Sequence, residues 1–408
     1  MHSLTRPQGE AQLTGPAPTD AKGNPLAPRD AWGHDHCWWL DRMVRSDQPL
    51  AERMTLVWHD WFATSVEGAN PRLVLEQNAM LRRHALGNFR SLLRDVTSDP
   101  AMLLWLSGTK NSKSSPNENY ARELMELFTL GAGRGYTERD VRELARALTG
   151  FRNDWRDGVG PHNFRFDPAH HDEGRKRVFR KSGRHDWRDA CELCLRHPKH
   201  PSFLVSKLWG YFIPTPPPKA SQRALERLYR DRRGAIRPLV EAILLHPDFH
   251  EGPRMVTPPV VHAAGLLRAI GRGVDTDAWS WLADLAGQKL FRPPNVSGWD
   301  DERWLDTSTW RGRWQTLNTI LRDRELNPSD KELVAAYPAD ETAAEAVAKA
   351  LAFWGQPTVS EATREALLAF ARRVEDGADQ KWKRQSYRVL RQNALRHLIA
   401  TSPDLQTS

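Results

Sequence analysis

Between Ser114 and Gly150 the chain writes out two helix starts and two helix stops in quick succession, and this punctuation constrains its fold more than any other feature. The stretch reads SSPNENYARELMELFTLGAGRGYTERDVRELARALTG. Ser115-Pro116-Asn117-Glu118 has the form of a capping box with proline at the first helical position. Tyr120, Leu124, Leu127 and Phe128 recur at the i, i+4, i+7, i+8 spacing of one buried helix face. Gly131 suits the left-handed residue that ends a helix. Thr137-Glu138-Arg139-Asp140 opens a second helix with a looser box, and Tyr136 and Val141 sit where a hydrophobic staple closes. Val141, Leu144, Ala145 and Leu148 line its apolar face, and Gly150 stops it. The spacing predicts a helical hairpin.

The same devices recur along the chain. Pro49 fits a first turn ahead of Leu50, Met54, Val57 and Trp61. Asn70-Pro71 opens a helix toward Arg94, and Asp99-Pro100 opens another. From Arg152 to Arg184 the pattern changes to Gly, Asp, His and aromatics, with HNFRF and KRVF as short strands of a hairpin. Helical periodicity resumes at Asp186, breaks at Pro216 to Pro218, and continues to about Ala286. An irregular Trp-rich segment and then amphipathic helices follow. The expected fold class is all-α: residues 31–325 form a single large multi-helical domain with one irregular His/Gly-rich loop or short hairpin. A disordered segment, 1–30, precedes it, and a helical extension, 326–408, packs on it.

Composition excludes several function classes. No apolar run approaches the roughly 20 residues of a membrane helix. Three cysteines provide no disulfide framework. The formal charge is +8, from 59 basic and 51 acidic residues, yet the arginines are interleaved with acids and form no polybasic block. Solvated helix faces are therefore expected, and nucleic acid is not an expected partner. The N-terminus carries no apolar h-region, so the chain as written reads as cytoplasmic, with export requiring a start further upstream.

Charged groups are crowded onto the first helix of the hairpin. Glu118, Arg122 and Glu126 form one stripe, and Asn119 and Glu123 form the next, beside the apolar face. A carboxylate there needs a partner or it protonates. Two readings stay open: an Arg–Glu network locking two helices, or Glu123 and Glu126 as acid/base groups or ligands. The loop FRFDPAHHDEGRK gathers His170, His171, Asp172 and Glu173, residue types that bind divalent metals. With His59 from VWHDWF, His171 and Asp172 would complete a ligand set; hydrogen bonds that merely tie the loop down are the alternative. CELCLRHPKH holds Cys191, Cys194, His197 and His200, but too closely spaced for a zinc finger. Seventeen tryptophans either fill gaps between helices or stack on sugar rings. No nucleophile elbow, Walker loop or dinucleotide fingerprint occurs.

The motif from Asn117 to Gly150, with ALGNFRSLL, DPAMLLWL, HHDEGRK, HPKHPSFLVSKLW and PPNVSGW around it, resembles the bacterial family known as domain of unknown function 1800. The resemblance runs from about Trp38 to Trp314. It implies the family's fold but no reaction. It also implies a longer N-terminus and export in many members, with a partner protein encoded nearby. The resulting expectation is a metal-assisted or carboxylate-dependent hydrolase or lyase acting on a polymer such as a cell-surface glycan. In it Glu123 and Glu126 are base or ligand, His59, His171 and Asp172 hold a divalent metal, and Arg122 or Lys176 stabilises developing negative charge. A non-enzymatic helical scaffold binding a partner protein is the alternative.

Overall fold

The computed structural model describes residues 2–6, 9–330, 337 and 340–408. Of the segments expected at the two ends, residues 1, 7–8, 331–336 and 338–339 lie outside the described residues. In chain order come α1 (His2–Thr5), α2 (His34–Arg45), α3 (Pro49–Trp61), α4 (Pro71–Arg83), α5 (Phe89–Thr97), α6 (Pro100–Trp105) and α7 (Asn119–Glu123). The last runs into a π-helical turn, Leu124–Thr129. Then follow α8 (Glu138–Ala147), β1 (Phe151–Arg156), β2 (Gly160–Phe166), β3 (Lys176–Val178), β4 (Lys181–Gly183), α9 (Trp187–Leu195) and α10 (His200–Gly210).

The local signals form where their hydrogen bonds are short-range. Asn70 accepts from the Leu73 amide at 3.0 Å, Asp99 from Met102 at 2.9 Å, and Thr137 and Asp140 make the reciprocal box that opens α8. Two expectations fail for local reasons. The helix toward Arg94 is two helices, because Asn88 caps a new one through the Arg90 amide at 2.9 Å, directly after the poor helix former Gly87. The Ser115 box does not form. Ser115 instead pairs with Ser112 in a tight turn, while Asn111 accepts from the Asn117 amide and Asn117 from the Asn119 amide, both at 2.9 Å. The helix therefore starts at Asn119.

The fold is mostly helical but not purely all-α, since it holds two antiparallel two-stranded sheets. HNFRF lies on β2 and KRVF begins at β3, so the two segments belong to different hairpins. β2 pairs with β1 and β3 with β4.

Contacts divide the chain into two units that alternate along the sequence. The first comprises residues 1–11, 48–253 and 291–299; the second comprises 12–47, 254–290 and 300–408. The core of the first is aromatic. Trp58, Trp61, Phe62, Phe89 and Phe128 are fully buried, with Phe62 edge-on to Phe128 at 5.0 Å between centroids. Each indole N–H finds a carbonyl: Trp58 gives to Ala85 at 3.0 Å, and Trp61 to Phe128 at 3.2 Å. These two tryptophans are therefore core fillers with satisfied polar ends, whereas the buried indole N–H groups of Trp105, Trp187, Trp279, Trp299 and Trp304 have no hydrogen-bond partner among the described residues.

Residues 291–299 dock on α3. The Val66 amide donates to the Phe291 carbonyl at 3.0 Å, and the Trp299 amide donates to Asp60 at 2.9 Å. Gly298 makes this approach possible: its φ is +96°, and a Cβ there would stand 2.2 Å from the Asp60 carboxylate. Gly298→Ala is expected to lower unfolding free energy by about 2–3 kcal/mol through left-handed strain and overpacking. Urea unfolding checks this, and an unchanged midpoint would refute the docking.

In the second unit, α2 packs with Pro259–Ala269, Ala278–Leu285 packs with Thr307–Leu321, and Ala343–Phe353 packs with Lys381–Ala400.

Candidate functional site

The helix carrying the charged stripes ends in a way its sequence does not announce. The Leu130 amide reaches back five residues to the Met125 carbonyl at 2.8 Å, the mark of a π-helical turn. Carbonyls at the end of the turn are then taken by side chains from elsewhere in the first unit. Lys207 donates to Leu127 at 3.0 Å, Trp61 to Phe128 at 3.2 Å, and His200 to Thr129 at 2.9 Å. Cationic and N–H donors at a helix C-terminus satisfy orphan carbonyls and the negative end of the dipole. Burial pulls Lys207 down to about 8, against the opposing charge of Asp60; its ammonium sits over the Trp61 ring at 4.6 Å. His200 is buried and held neutral, its pKa pushed down to about 4 by burial. Much of HPKHPSFLVSKLW therefore holds the end of this helix.

On the exposed side Arg122 lies among three carboxylates: Glu118 at 3.2 Å, Glu126 at 3.4 Å and Glu138 of α8 at 2.7 Å. The Glu138 hydrogen bonds raise the Arg122 pKa well above the usual guanidinium value. This is the helix-locking network, built through Glu138 across the turn. Glu123 stands outside it. It is half-buried and makes no hydrogen bond or ion pair among the described residues. Burial, then the neighbouring charge of Glu126, raises its pKa, with Arg122 only partly opposing. Glu126 also meets the phenol of Tyr136, which accepts from the Gly133 amide at 3.0 Å. The hairpin thus carries two adjacent carboxylates in unlike surroundings, the arrangement that separates acid from base roles.

The His-rich loop is bound to α8 rather than gathered round an ion site. His171 gives Nδ1–H to the Thr149 carbonyl at 2.9 Å. Asp172 takes Arg146 at 2.7 Å. Burial raises its pKa, but Arg146 and the Gly174 amide outweigh this and leave it lowered. Lys176 is only 1% exposed and donates to the carbonyls of Asp172 and Gly174. The expected cation is therefore a strut inside its own loop, its pKa lowered by burial. His59 lies fully buried between Phe291 and Trp299, with ring centroids at 5.5 and 5.6 Å, and burial pushes its pKa down to about 3. Among the described residues no group of three or more His, Cys, Asp or Glu is arranged to hold a metal ion. His59, His171 and Asp172 are not brought together as a ligand set.

Cys191 and Cys194 are buried free thiols; burial pushes Cys191 up to about 12. His197 instead gives to the Gly135 carbonyl at 3.1 Å.

One charged feature was not expected. Arg175, Lys176, Arg177, Arg180, Lys181 and Arg184 form a basic run without an acid, an exception to the interleaving seen elsewhere. All but Lys176 are exposed, and part of the run lines a cleft of about 750 Å³ with the start of α8 and the end of α9.

Comparison with known proteins adds one finding. A family described as "Protein of unknown function (DUF1800)" matches residues 8–407, nearly the whole chain and well beyond the motif region. No curated protein and no solved structure matches.

Proposed function

We propose, from the premise that the chain belongs to the DUF1800 family and that this family carries no assigned reaction, that it is a carboxylate-dependent hydrolase or lyase acting on a polymer such as a glycan. The observation that carries the reading is Glu123: a half-buried carboxyl of raised pKa, with no partner of its own among the described residues, beside Glu126. A structural carboxylate would be paired like Glu118 and Glu138. In the hydrolytic form, protonated Glu123 gives its proton to the leaving oxygen of the polymer linkage. Glu126 takes a proton from the attacking water, and Arg122 positions Glu126.

The reading is tested by incubating the protein with a panel of acidic and neutral polysaccharides and measuring release of reducing ends or of unsaturated ends. Glu123→Gln is expected to lower the rate at least about 100-fold, with its unfolding midpoint within ~1 kcal/mol of the parent. Because Glu123 serves as the acid, activity should fall as pH rises through its elevated pKa. Full activity of Glu123→Gln on a cleaved substrate removes the proposal.

A second reading, a scaffold for a partner protein, is favoured by Trp281 and Leu285. They are exposed four residues apart on the Ala278–Leu285 helix of the second unit, on one helix face.

A further inference from the structure

The basic cleft has three walls, all in the first unit. Arg139 and Asp140 come from the first turn of α8, Arg177, Arg180 and Lys181 from the β3–β4 hairpin, and Arg196 from the residue after α9. Arg196 is paired with Glu192 at 3.5 Å. Arg139, Arg177, Arg180 and Lys181 make no ion pair or side-chain hydrogen bond among the described residues, and all four are exposed. The carboxylate of Asp140 faces them, but it is already occupied by the Thr137 amide and hydroxyl and by the Phe179 amide. These four cations outnumber the nearby carboxylates, Asp140 and the Glu143 that takes the Arg177 amide at 2.7 Å, and like charges in excess repel one another.

The hairpin turn adds an independent sign. Val178 pairs with Lys181, so Phe179 and Arg180 are the two loop residues, with φ of 47° and 64°. Such a turn accepts Asn-Gly without strain, whereas Phe-Arg is strained at both positions. The strain is held by the bond from the Phe179 amide to Asp140 at 2.7 Å, and it sets Arg180 in the lining of the cleft.

We propose that this cleft binds an acidic polysaccharide, taking the sulfate, phosphate or carboxylate groups of neighbouring sugar units between the hairpin and α8. Guanidinium groups match such oxyanions in two-point hydrogen bonds. Gly135 and Thr137 line the cleft on either side of Tyr136, whose phenol meets Glu126. The cleft lining thus adjoins Tyr136, the neighbour of Glu126, so the inference deepens the polymer-acting reading and rests on it for the substrate. Nucleic acid fits less well. Bases need successive aromatic platforms, and among the described residues the only aromatic side chain besides His197 lining the cleft is Phe179, whose ring already packs on His197 at 4.8 Å.

The test measures binding to the full-length protein over a range of salt. The probes are fluorescent dextran sulfate, uncharged dextran of equal length, a single-stranded oligodeoxynucleotide and tripolyphosphate. Dextran sulfate should bind, uncharged dextran should not, and Arg177→Ala/Arg180→Gly should weaken dextran sulfate at least tenfold. The salt dependence should flatten in the same variant. Arg364→Ala/Arg373→Ala, which removes the same charge from an exposed helix of the second unit, should bind like the parent. Arg180→Gly alone should raise the thermal midpoint while weakening binding, a pairing that a purely structural arginine would not produce. Equal loss in both double variants, tighter binding of the oligonucleotide, or binding of tripolyphosphate only would each overturn the proposal. Glu123→Gln should keep dextran sulfate affinity. Binding without cleavage of any polymer therefore removes the catalytic reading and leaves the cleft standing.

Discussion

His200→Ala is expected to lower the unfolding free energy by about 3–4 kcal/mol, the larger part from groups it leaves behind. The imidazole gives Nδ1–H to the Thr129 carbonyl and accepts the Tyr229 hydroxyl at Nε2, both at 2.9 Å. Its ring stacks on Phe89 at 5.5 Å. Deleting it strands a carbonyl at the end of the π-helical turn and a buried phenol, and opens a void beside the aromatic core. The same residue sets a pH dependence. Folded His200 takes a proton only near 4, whereas in the unfolded chain it takes one at its ordinary value of 6.5. Its contribution is thus fully present above 6.5 and is lost as pH falls toward 4, at up to about 1.4 kcal/mol per pH unit. His262, pushed down to about 3 by burial first and by Arg313 second, acts in the same direction. Asp99, raised to about 7 by burial, opposes them, because the folded state there binds the extra proton. Urea unfolding at pH 7 and pH 5 of the parent and of His200→Asn checks the sign. The variant should show a slope shallower by about one proton. Identical slopes would mean that His200 is not held neutral.

Glu341→Ala should be at least as damaging, at about 3–5 kcal/mol, and its site is in the second unit. Glu341 and Arg391 are paired at 2.9 Å with side chains 1% and 2% exposed. Lys349 approaches the other carboxylate oxygen at 2.6 Å. Removing the carboxylate leaves a buried guanidinium with the Glu341 and Ala371 carbonyls, at 3.1 and 3.5 Å, and the half-exposed Glu375 carboxylate at 3.8 Å as its remaining counter-charge. Loss of a buried partner costs far more than the pair itself contributes. Glu341→Gln keeps an acceptor for Arg391 and should lose less than half as much. A cost below about 1 kcal/mol for Glu341→Ala would show that Glu375 and water suffice for Arg391.

The candidate site was only partly legible beforehand. The crowding of Glu118, Arg122, Glu123 and Glu126 was plain from helical spacing, and so was the choice between network and chemistry. That choice divides by residue: Arg122 belongs to the network through Glu138, and Glu123 stands apart from it. Lys176 reads in the sequence as a cation free to stabilise developing negative charge, because nothing local shows that its ammonium will turn inward onto the carbonyls of its own loop. The basic run from Arg175 to Arg184 was visible, but its meaning depends on the α8 and α9 residues that face it.

By itself the sequence determined the family, the helical character, and several features whose partner lies within four residues, although the Ser115 box gave way to the Asn111–Asn117 bond and the Asn88 cap split one expected helix in two. Such features include the caps at Asn70, Asp99 and Thr137, the stop at Gly131, and the alternation of buried and exposed faces. These are short-range because one turn of backbone brings donor and acceptor together at any helix end. Tertiary structure decided the rest. It chose the carbonyls that Lys207, Trp61 and His200 satisfy, the counter-charges of Arg122 and Arg146, and the strained Phe179-Arg180 turn held by Asp140. Each of those depends on groups far apart in the chain, and on a buried polar group requiring whichever partner packing brings within reach.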